Sequence, residues 1–310
     1  MKNTQLTDKK VWLAPLAGYT DKAFRVICKD FGADVVVSEM ISADGVAGGS
    51  LKTKNYADFT DYERPFGIQL FGSKPKSFAK AIETLSASKP DFFDINMGCP
   101  VKKVVKRGAG SALLENLPLA TQIISTSKKA LANTAIPLTV KIRSGFSNLN
   151  FLEAAKMFED AGVDAIVFHP RTQKQMFSGM SDWRQIEQLK KQLKIPVVGN
   201  GDITTVSQIE KMFCQTSCDS VMIGRGAVGR PWIFAKTDSV STEMIFKTIE
   251  RHFELLENFS NSKKAVQLMK KHICAYLKGL KNSTFARDRV VRMETRSEML
   301  GFLLEFLQED

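Results

Sequence analysis

No run in this chain approaches the ~18 consecutive apolar residues that a membrane-crossing helix requires. The opening stretch, Met1 to Lys10, is polar with no apolar core, so neither a spanning segment nor a secretory signal is expected. Cysteine is scarce: Cys28, Cys99, Cys214, Cys218 and Cys274 make no even framework, which argues against a disulfide-stapled secreted domain. Cys214 and Cys218 stand four apart with no partner pair, so no zinc site, and no other metal, is expected. Low-complexity tracts are absent, and nothing repeats apart from strand–helix units. A reducing cytoplasm is the expected setting. Nothing speaks to oligomeric state, and a monomer is the working expectation.

What is present is ordinary core material and positive charge. The chain is 310 residues long, 44% hydrophobic and 25% charged, so it is globular. That length suffices for one large α/β barrel with an appendage, or for two ordinary domains. The net charge of +11 is localised. From Lys263 to Arg296 ten Lys or Arg stand against Asp288 and Glu294, a net +8 in 34 residues. A second cluster, Lys102, Lys103, Lys106 and Arg107, follows Cys99. Basic runs are most often solvated helix faces. Two clusters, one beside a presumed reaction centre, favour a polyanionic partner such as RNA. The tail's apolar positions keep ordinary core spacing, which disfavours a membrane-surface helix.

Eight short β-rich runs recur: 11–17, 35–40, 66–72, 92–98, 138–143, 165–171, 197–202 and 220–226. Amphipathic helical stretches separate most of them, at 76–88, 119–133, 152–162, 182–193 and 206–214; the connection 41–64 is irregular. Alternating strands and helices imply parallel pairing, and eight units in ~225 residues match a (β/α)8 TIM barrel better than an open sheet. After Trp232 the strand pattern stops. The expected division is a barrel over residues 1–235 and a small all-α domain over residues 236–310.

Polar residues gather where these runs end, the face on which barrel active sites form. In Phe92–Pro100, Asp94 and Asn96 share one strand face, and Cys99 follows where the chain leaves the sheet. Cys99 alone is compatible with a buried structural thiol or with a reactive one. Lys141, with Arg143 on its own face, points to a Schiff base or to an anion or electron-rich ring. His169 and Arg171 leave the next strand, and His169 could donate to a ring carbonyl or a phosphate. Gly224–Gly229 fits G-x-G-x-x-G, yet it follows the last strand rather than the first, so a Rossmann reading fails. With Asn200-Gly201-Asp202 it suits a mononucleotide phosphate site instead.

Ala14–Asp21 with Phe24-Arg25, Gln69–Gly72, Asn96–Pro100, Val140–Arg143, Asn200–Asp202 and Gly224–Gly226 together resemble the tRNA-dihydrouridine synthases, in family order. Lys271-His272-Ile273 and Tyr276–Gly279 resemble the family's helical RNA-binding domain, and Asn96–Val104 is most similar to the bacterial B-type branch. The resemblance implies an FMN-carrying barrel that reduces a tRNA uridine at C5–C6 to 5,6-dihydrouridine, with NADPH (or NADH) as reductant. It implies Pro15, Leu16 and Ala17 against the isoalloxazine, and Gln69, Lys141 and His169 on its polar edge. Asn200, Gly201, Asp202, Gly224 and Arg225 would hold the ribityl phosphate. Cys99 would protonate C5 and Asn96 would position the base. Arg171, Lys102, Lys103, Lys271, Lys278 and Arg287 are the expected tRNA contacts. Lys102 and Lys103 would favour the thiolate of Cys99, a poor proton donor, and are expected to point to RNA phosphate. Rival readings are an FMN barrel acting on a free pyrimidine, a Schiff-base aldolase built on Lys141, and a non-catalytic RNA binder.

Overall fold

The computed structural model describes residues 7–308; the first six residues of the polar N-terminal stretch and the final two lie outside the described residues. The strands are β1 (Val11–Leu13), β2 (Val35–Val37), β3 (Ile41–Ser42), β4 (Phe66–Phe71), β5 (Phe92–Met97), β6 (Leu138–Gly145), β7 (Ala165–Thr172), β8 (Val197–Asn200) and β9 (Ser220–Ile223). All pair in parallel. β1 joins β2 on one side and β9 on the other, and a β2–β4 pairing closes the circle. β3 lies beyond β2 along the same edge of β4, so the second strand is one line broken at Ser38–Met40. Ser38 patches the break: its N–H donates to the Gly67 carbonyl at 2.9 Å, and its Oγ accepts from Gln69 N at 3.0 Å. The result is a (β/α)8 TIM barrel.

Strand alternation divides the side chains as the two-residue period requires. Phe93, Ile95 and Met97 of β5 enter the apolar layer between sheet and outer helices. On the opposite face Phe92 joins Trp12, Val35, Val37, Val167, Val198 and Met222 in a dry floor inside the barrel. Gly67 is needed there, since a Cβ on it would fall 2.2 Å from the Phe92 ring. The polar residues of the candidate site stand further along the same inward faces.

Most strands end earlier than the sequence pattern implies, whereas β6 and β7 run on to Gly145 and Thr172. β1 stops at Leu13, because Tyr19 N and Thr20 N both turn back onto the Leu16 carbonyl, at 2.9 and 3.0 Å. β8 stops at Asn200, where Gly201 (φ +128) and Asp202 (φ 55) leave strand geometry. The outer helices are α1 (Lys22–Asp30), α2 (Ala43–Ala47), α3 (Leu51–Lys54), α4 (Pro75–Leu85), α5 (Lys102–Val105), α6 (Leu117–Ala130), α7 (Phe151–Asp160), α8 (Arg184–Gln192) and α9 (Val206–Thr216). Short helices and turns fill the irregular second connection. It is anchored by Arg25, whose Nε donates to the buried Glu63 carboxylate at 2.7 Å and whose NH2 donates to the Asp58 carbonyl at 2.9 Å.

Four helices close the chain: α10 (Thr242–Phe259), α11 (Ser262–Tyr276), α12 (Ser283–Arg292) and α13 (Arg296–Gln308). Their core is built from Ile245, Ile249, Phe253 and Leu256 against Val266, Met269 and Ile273. Trp232 and the outward face of α1 (Ala23, Val26, Ile27) belong to the same cluster, so the bundle is packed onto the barrel rather than tethered to it. Among the described residues no helix is long and apolar enough to cross a membrane.

Candidate active site at the barrel mouth

Above the apolar floor lies a connected set of polar side chains from neighbouring strands. Gln69 of β4 and Thr139 of β6 both stand in register with Asp94 of β5. Asp94 accepts from Gln69 Nε2 at 2.7 Å and from Thr139 Oγ1 at 2.6 Å. Burial of the carboxylate outweighs these bonds and pushes its pKa up to about 6. Because the folded pKa lies above the unfolded one, ionisation of Asp94 opposes folding, and stability falls as pH rises between the two. Asp94→Asn should therefore gain stability relative to the parent as pH climbs from about 4 to about 6, and the difference should flatten above. Denaturant unfolding of both proteins across that range checks it; a difference independent of pH would mean the carboxylate is not strained.

Asn96 shares the inward face but its carboxamide is committed to the protein. Nδ2 donates to Gln69 Oε1 at 2.8 Å, while Oδ1 accepts from Gly98 N at 3.1 Å and Cys99 N at 2.9 Å. Within the protein, Asn96 thereby shapes the turn that presents Cys99. The turn is held from other sides too. Arg143 Nε donates to the Gly98 carbonyl at 2.7 Å, and Ser111 donates to the Cys99 carbonyl from both N, at 3.1 Å, and Oγ, at 2.9 Å. Cys99 is half-buried, and burial raises its thiol pKa against the opposing pull of a backbone N–H and of Arg143 and Lys141. The cations that bear on Cys99 thus come from β6. Lys102 and Lys103, expected to favour the thiolate, are exposed on α5, and the thiol stays protonated.

Lys141 is in register with Asn96 and donates to Asn200 Oδ1 at 2.9 Å; Asn200 Nδ2 donates to the Met222 carbonyl at 2.7 Å. Burial, then the charge of Arg143, lowers the Lys141 pKa to about 8. His169 is neutral, its pKa held well below the usual value by burial and by Lys141 and Arg143. Arg171 belongs elsewhere than the sequence suggests. Its Nε donates to Ser178 O, NH1 meets His169 Nε2 and Ser181 Oγ, and NH2 reaches Gly179 O and Asp202 Oδ2 at 2.6 Å. A guanidinium has five N–H donors, and all five are used. Where a tRNA contact was expected, Arg171 makes a brace between His169 and Asp202.

The β8 turn is built on that brace. Asp202 Oδ2 also accepts from Ser181 N at 2.7 Å, its Oδ1 lies 3.6 Å from Arg225 NH2, and Trp183 Nε1 donates to the Gly201 carbonyl at 3.0 Å. A Cβ on Gly201 would strike Ser181 Oγ at 2.2 Å, and one on Gly226 would strike the Ile203 carbonyl at 2.1 Å. Gly224 is less constrained, with Ala14 Cβ at 3.7 Å and Leu16 Cδ2 at 3.9 Å from a built Cβ. Leu16 therefore lies beside Gly224, with Pro15 half-buried and Ala17 exposed on the same lip. The sequence reading missed the braces, Ser181, Trp183 and Ser111, and gave Arg143 no site role. Arg143 was within reach, since it shares the strand face of Lys141.

A chain with this fold and this mouth can be placed among known proteins. A dihydrouridine synthase family model matches residues 12–310. This chain belongs to the dihydrouridine synthase family. A probable tRNA-dihydrouridine synthase of Aquifex aeolicus is 38% identical over 297 residues, covering 94% of each chain. A tRNA-dihydrouridine synthase B of Pasteurella multocida is 36% identical over 291 residues, covering 90% of this chain and 87% of its own. Among solved structures, a 2-naphthoyl-CoA reductase complex superposes with a TM-score of 0.60 at 12% identity, over 76% of this chain and 52% of that one, and shares the fold.

The basic residues of this dihydrouridine synthase chain divide into free and engaged. Lys102, Lys103, Lys106 and Arg107 are exposed, as are Lys263, Lys264, Lys278 and Lys281. Lys271, expected on the RNA, instead donates to the Gly18 carbonyl and lies 5.4 Å from the Tyr19 ring centroid. It ties α11 to the loop after β1. Arg287 bonds within its own helix, to Ser283 O at 3.1 Å and Thr284 Oγ1 at 3.2 Å.

Proposed function

We propose that this protein reduces the C5–C6 bond of uridine in tRNA to 5,6-dihydrouridine, with FMN in the barrel mouth, NADPH (or NADH) as reductant and Cys99 as proton donor. The observation that carries the reading is a half-buried thiol on a turn held from three sides, with a lysine–asparagine pair at the same mouth of a barrel of this family.

The residues present fit an FMN. Lys141, the Gln69 carboxamide and neutral His169 offer the mixed hydrogen-bonding groups that a flavin's polar edge needs, and Pro15, Leu16 and Ala17 offer apolar surface for its ring. The turns at Gly201 and Gly224–Gly226 carry backbone N–H groups, and Arg225 adds a guanidinium beside Asp202, groups that would suit a phosphate. Asp202 takes no direct part with an anion. Its carboxylate is bound to Arg171 and faces Arg225, so it aims those cations. Bound there, FMN would supply the hydride that C6 receives, drawn from the nicotinamide cofactor.

The protein's own part is the proton at C5. A thiol whose pKa is raised by burial is almost wholly protonated at neutral pH, the form a general acid requires. After transfer the thiolate is stabilised by Arg143 and Lys141, and half-exposure lets it regain a proton from solvent. Residues 236–310, with the exposed lysines of α5, we assign to holding the RNA backbone.

Incubating the purified protein with NADPH and an unmodified tRNA transcript, then digesting the RNA for mass spectrometry, tests the whole reading. The expected result is a nucleoside heavier by two hydrogens, made by a yellow protein. Reduction of free pyrimidines with no change in tRNA would favour the rival flavin barrel. A colourless protein inert toward tRNA would defeat both.

A further inference from the structure

Where the helical bundle meets the barrel, three side chains with metal-ligating atoms converge without partners. Asp21 precedes α1 and caps it, with Oδ1 accepting from Phe24 N at 3.0 Å. Its other oxygen, Oδ2, is buried and unbonded, as are Nε2 of His252 in α10 and both ring nitrogens of His272 in α11. The two histidines are fully buried, with ring centroids 4.5 Å apart, and both stack on Phe24. Asp21 Oδ2 lies 4.0 Å from His272 Nε2, and one donor atom from each residue falls within 4.8 Å of the other two. An unpaired buried polar atom is destabilising, and one such atom from each of three residues converges here.

We propose that Asp21, His252 and His272 bind a divalent transition-metal ion of the zinc type, which pins the helical bundle to the loop after β1. Two imidazole nitrogens and one carboxylate oxygen suit zinc-like ions better than calcium or magnesium, which prefer all-oxygen sets. Burial keeps both imidazoles neutral, the form that ligates. The atoms that would not ligate are anchored at two of the three residues: Oδ1 of Asp21 by Phe24 N, and Nδ1 of His252 by the Tyr276 hydroxyl at 3.1 Å. With Nδ1–H donating to that hydroxyl, the Nε2 lone pair of His252 faces the cluster, the arrangement in which an outer partner orients a metal ligand. The nearest opposing charge, Lys271, is engaged by the Gly18 carbonyl.

Metal–ligand bonds of ~2.0–2.2 Å require the three donors to draw closer than they now stand. Asp21 is the ligand placed to do so, since it lies on a loop with its side chain 22% exposed and its Oδ2 unbonded, and turning about its capping Oδ1 would carry Oδ2 inward, whereas the histidines are carried on packed helices. A buried water with hydrogen bonds of ~2.9 Å would need no such movement, and it is the occupant that would defeat the proposal. The expectation of no metal rested on cysteine spacing alone. It could not see an aspartate and two histidines brought together from three elements.

The full-length protein, stripped with a chelator and dialysed against buffered Zn2+, should retain one equivalent per chain by elemental analysis. Its unfolding midpoint should rise with free Zn2+. Tyr276→Phe keeps the ring and the packing but removes the anchor, and should weaken zinc about 10–100-fold. Asp21→Asn and His272→Gln should abolish retention; should either fail to fold, Tyr276→Phe decides. Absence of retained zinc would mean the cluster holds only water. Retention undiminished in all three variants would place the zinc on thiols, among them the exposed Cys214, and would equally overturn the assignment.

Discussion

Cys99→Ala should lower the rate of dihydrouridine formation by about 10²–10⁴, the usual worth of a positioned general acid, while flavin and tRNA are still bound. The variant is clean because the turn is held through its backbone groups, and the sulfur takes only the Val101 N–H. Gly98 N and Cys99 N are held by Asn96 Oδ1, the Gly98 carbonyl by Arg143, and the Cys99 carbonyl by Ser111. Alanine should leave those bonds in place and remove the thiol proton with the single Val101 N–H contact. The pH profile supplies a second reading. The thiol pKa is raised by burial, so the proton-donating form persists through neutral pH, and the parent's rate should fall only on the alkaline side. That alkaline limb should be missing from the residual activity of Cys99→Ala. Single-turnover measurements across pH decide both points. Turnover in Cys99→Ala equal to the parent would take Cys99 out of the mechanism, and a limb that survives the substitution would belong to another group such as Lys141, whose pKa is lowered to about 8.

The barrel was legible because period-two alternation and strand–helix order are local properties. Phe93, Ile95 and Met97 against Asp94 and Asn96 read correctly as two faces of one strand. Strand ends were less legible, because a small or polar residue past the last ladder bond looks like strand in sequence; Pro15–Ala17 and Gly201–Asp202 turn away through hydrogen bonds and positive φ that composition does not encode. The candidate residues stand at strand ends, which pattern makes legible, whereas their partners lie on other elements. Sequence shows which groups Asn96 and Arg171 carry, but not that every donor on the guanidinium is used within the protein or that the carboxamide bonds Gln69, Gly98 and Cys99. Charge showed the same blindness to distance. Neighbours in sequence, Lys102 and Lys103, seemed to govern Cys99, whereas Arg143 and Lys141 on the adjacent strand do so.

Replacing Lys263, Lys264, Lys278 and Lys281 together by alanine should weaken tRNA binding and flatten its salt dependence. RNA affinity falls with salt as bound counterions are released, by roughly 0.7–0.9 in the slope of log K against log salt for each phosphate neutralised. These four lysines are exposed, and none makes an ion pair or side-chain hydrogen bond within the described residues. If each meets one phosphate, the slope should shrink by about 3. The engaged cations predict the contrast. Lys270 donates to the Val291 carbonyl, Lys271 to Gly18, Arg292 to Asp288 and Arg296 to Glu257. Lys270→Ala and Arg292→Ala should therefore move the slope by well under one, although they lie in the same +8 stretch. Phosphate contacts position rather than read the RNA, so the quadruple variant should weaken binding to different tRNAs alike. Its reduction by NADPH in the absence of RNA should be untouched, because the groups at the barrel mouth are unchanged. Titrations of tRNA at several salt concentrations, for parent and variants, measure all of this. If the quadruple variant keeps both affinity and slope, the helical bundle is a structural cap, and the phosphates must be met by Lys102, Lys103, Lys106 and Arg107 beside Cys99.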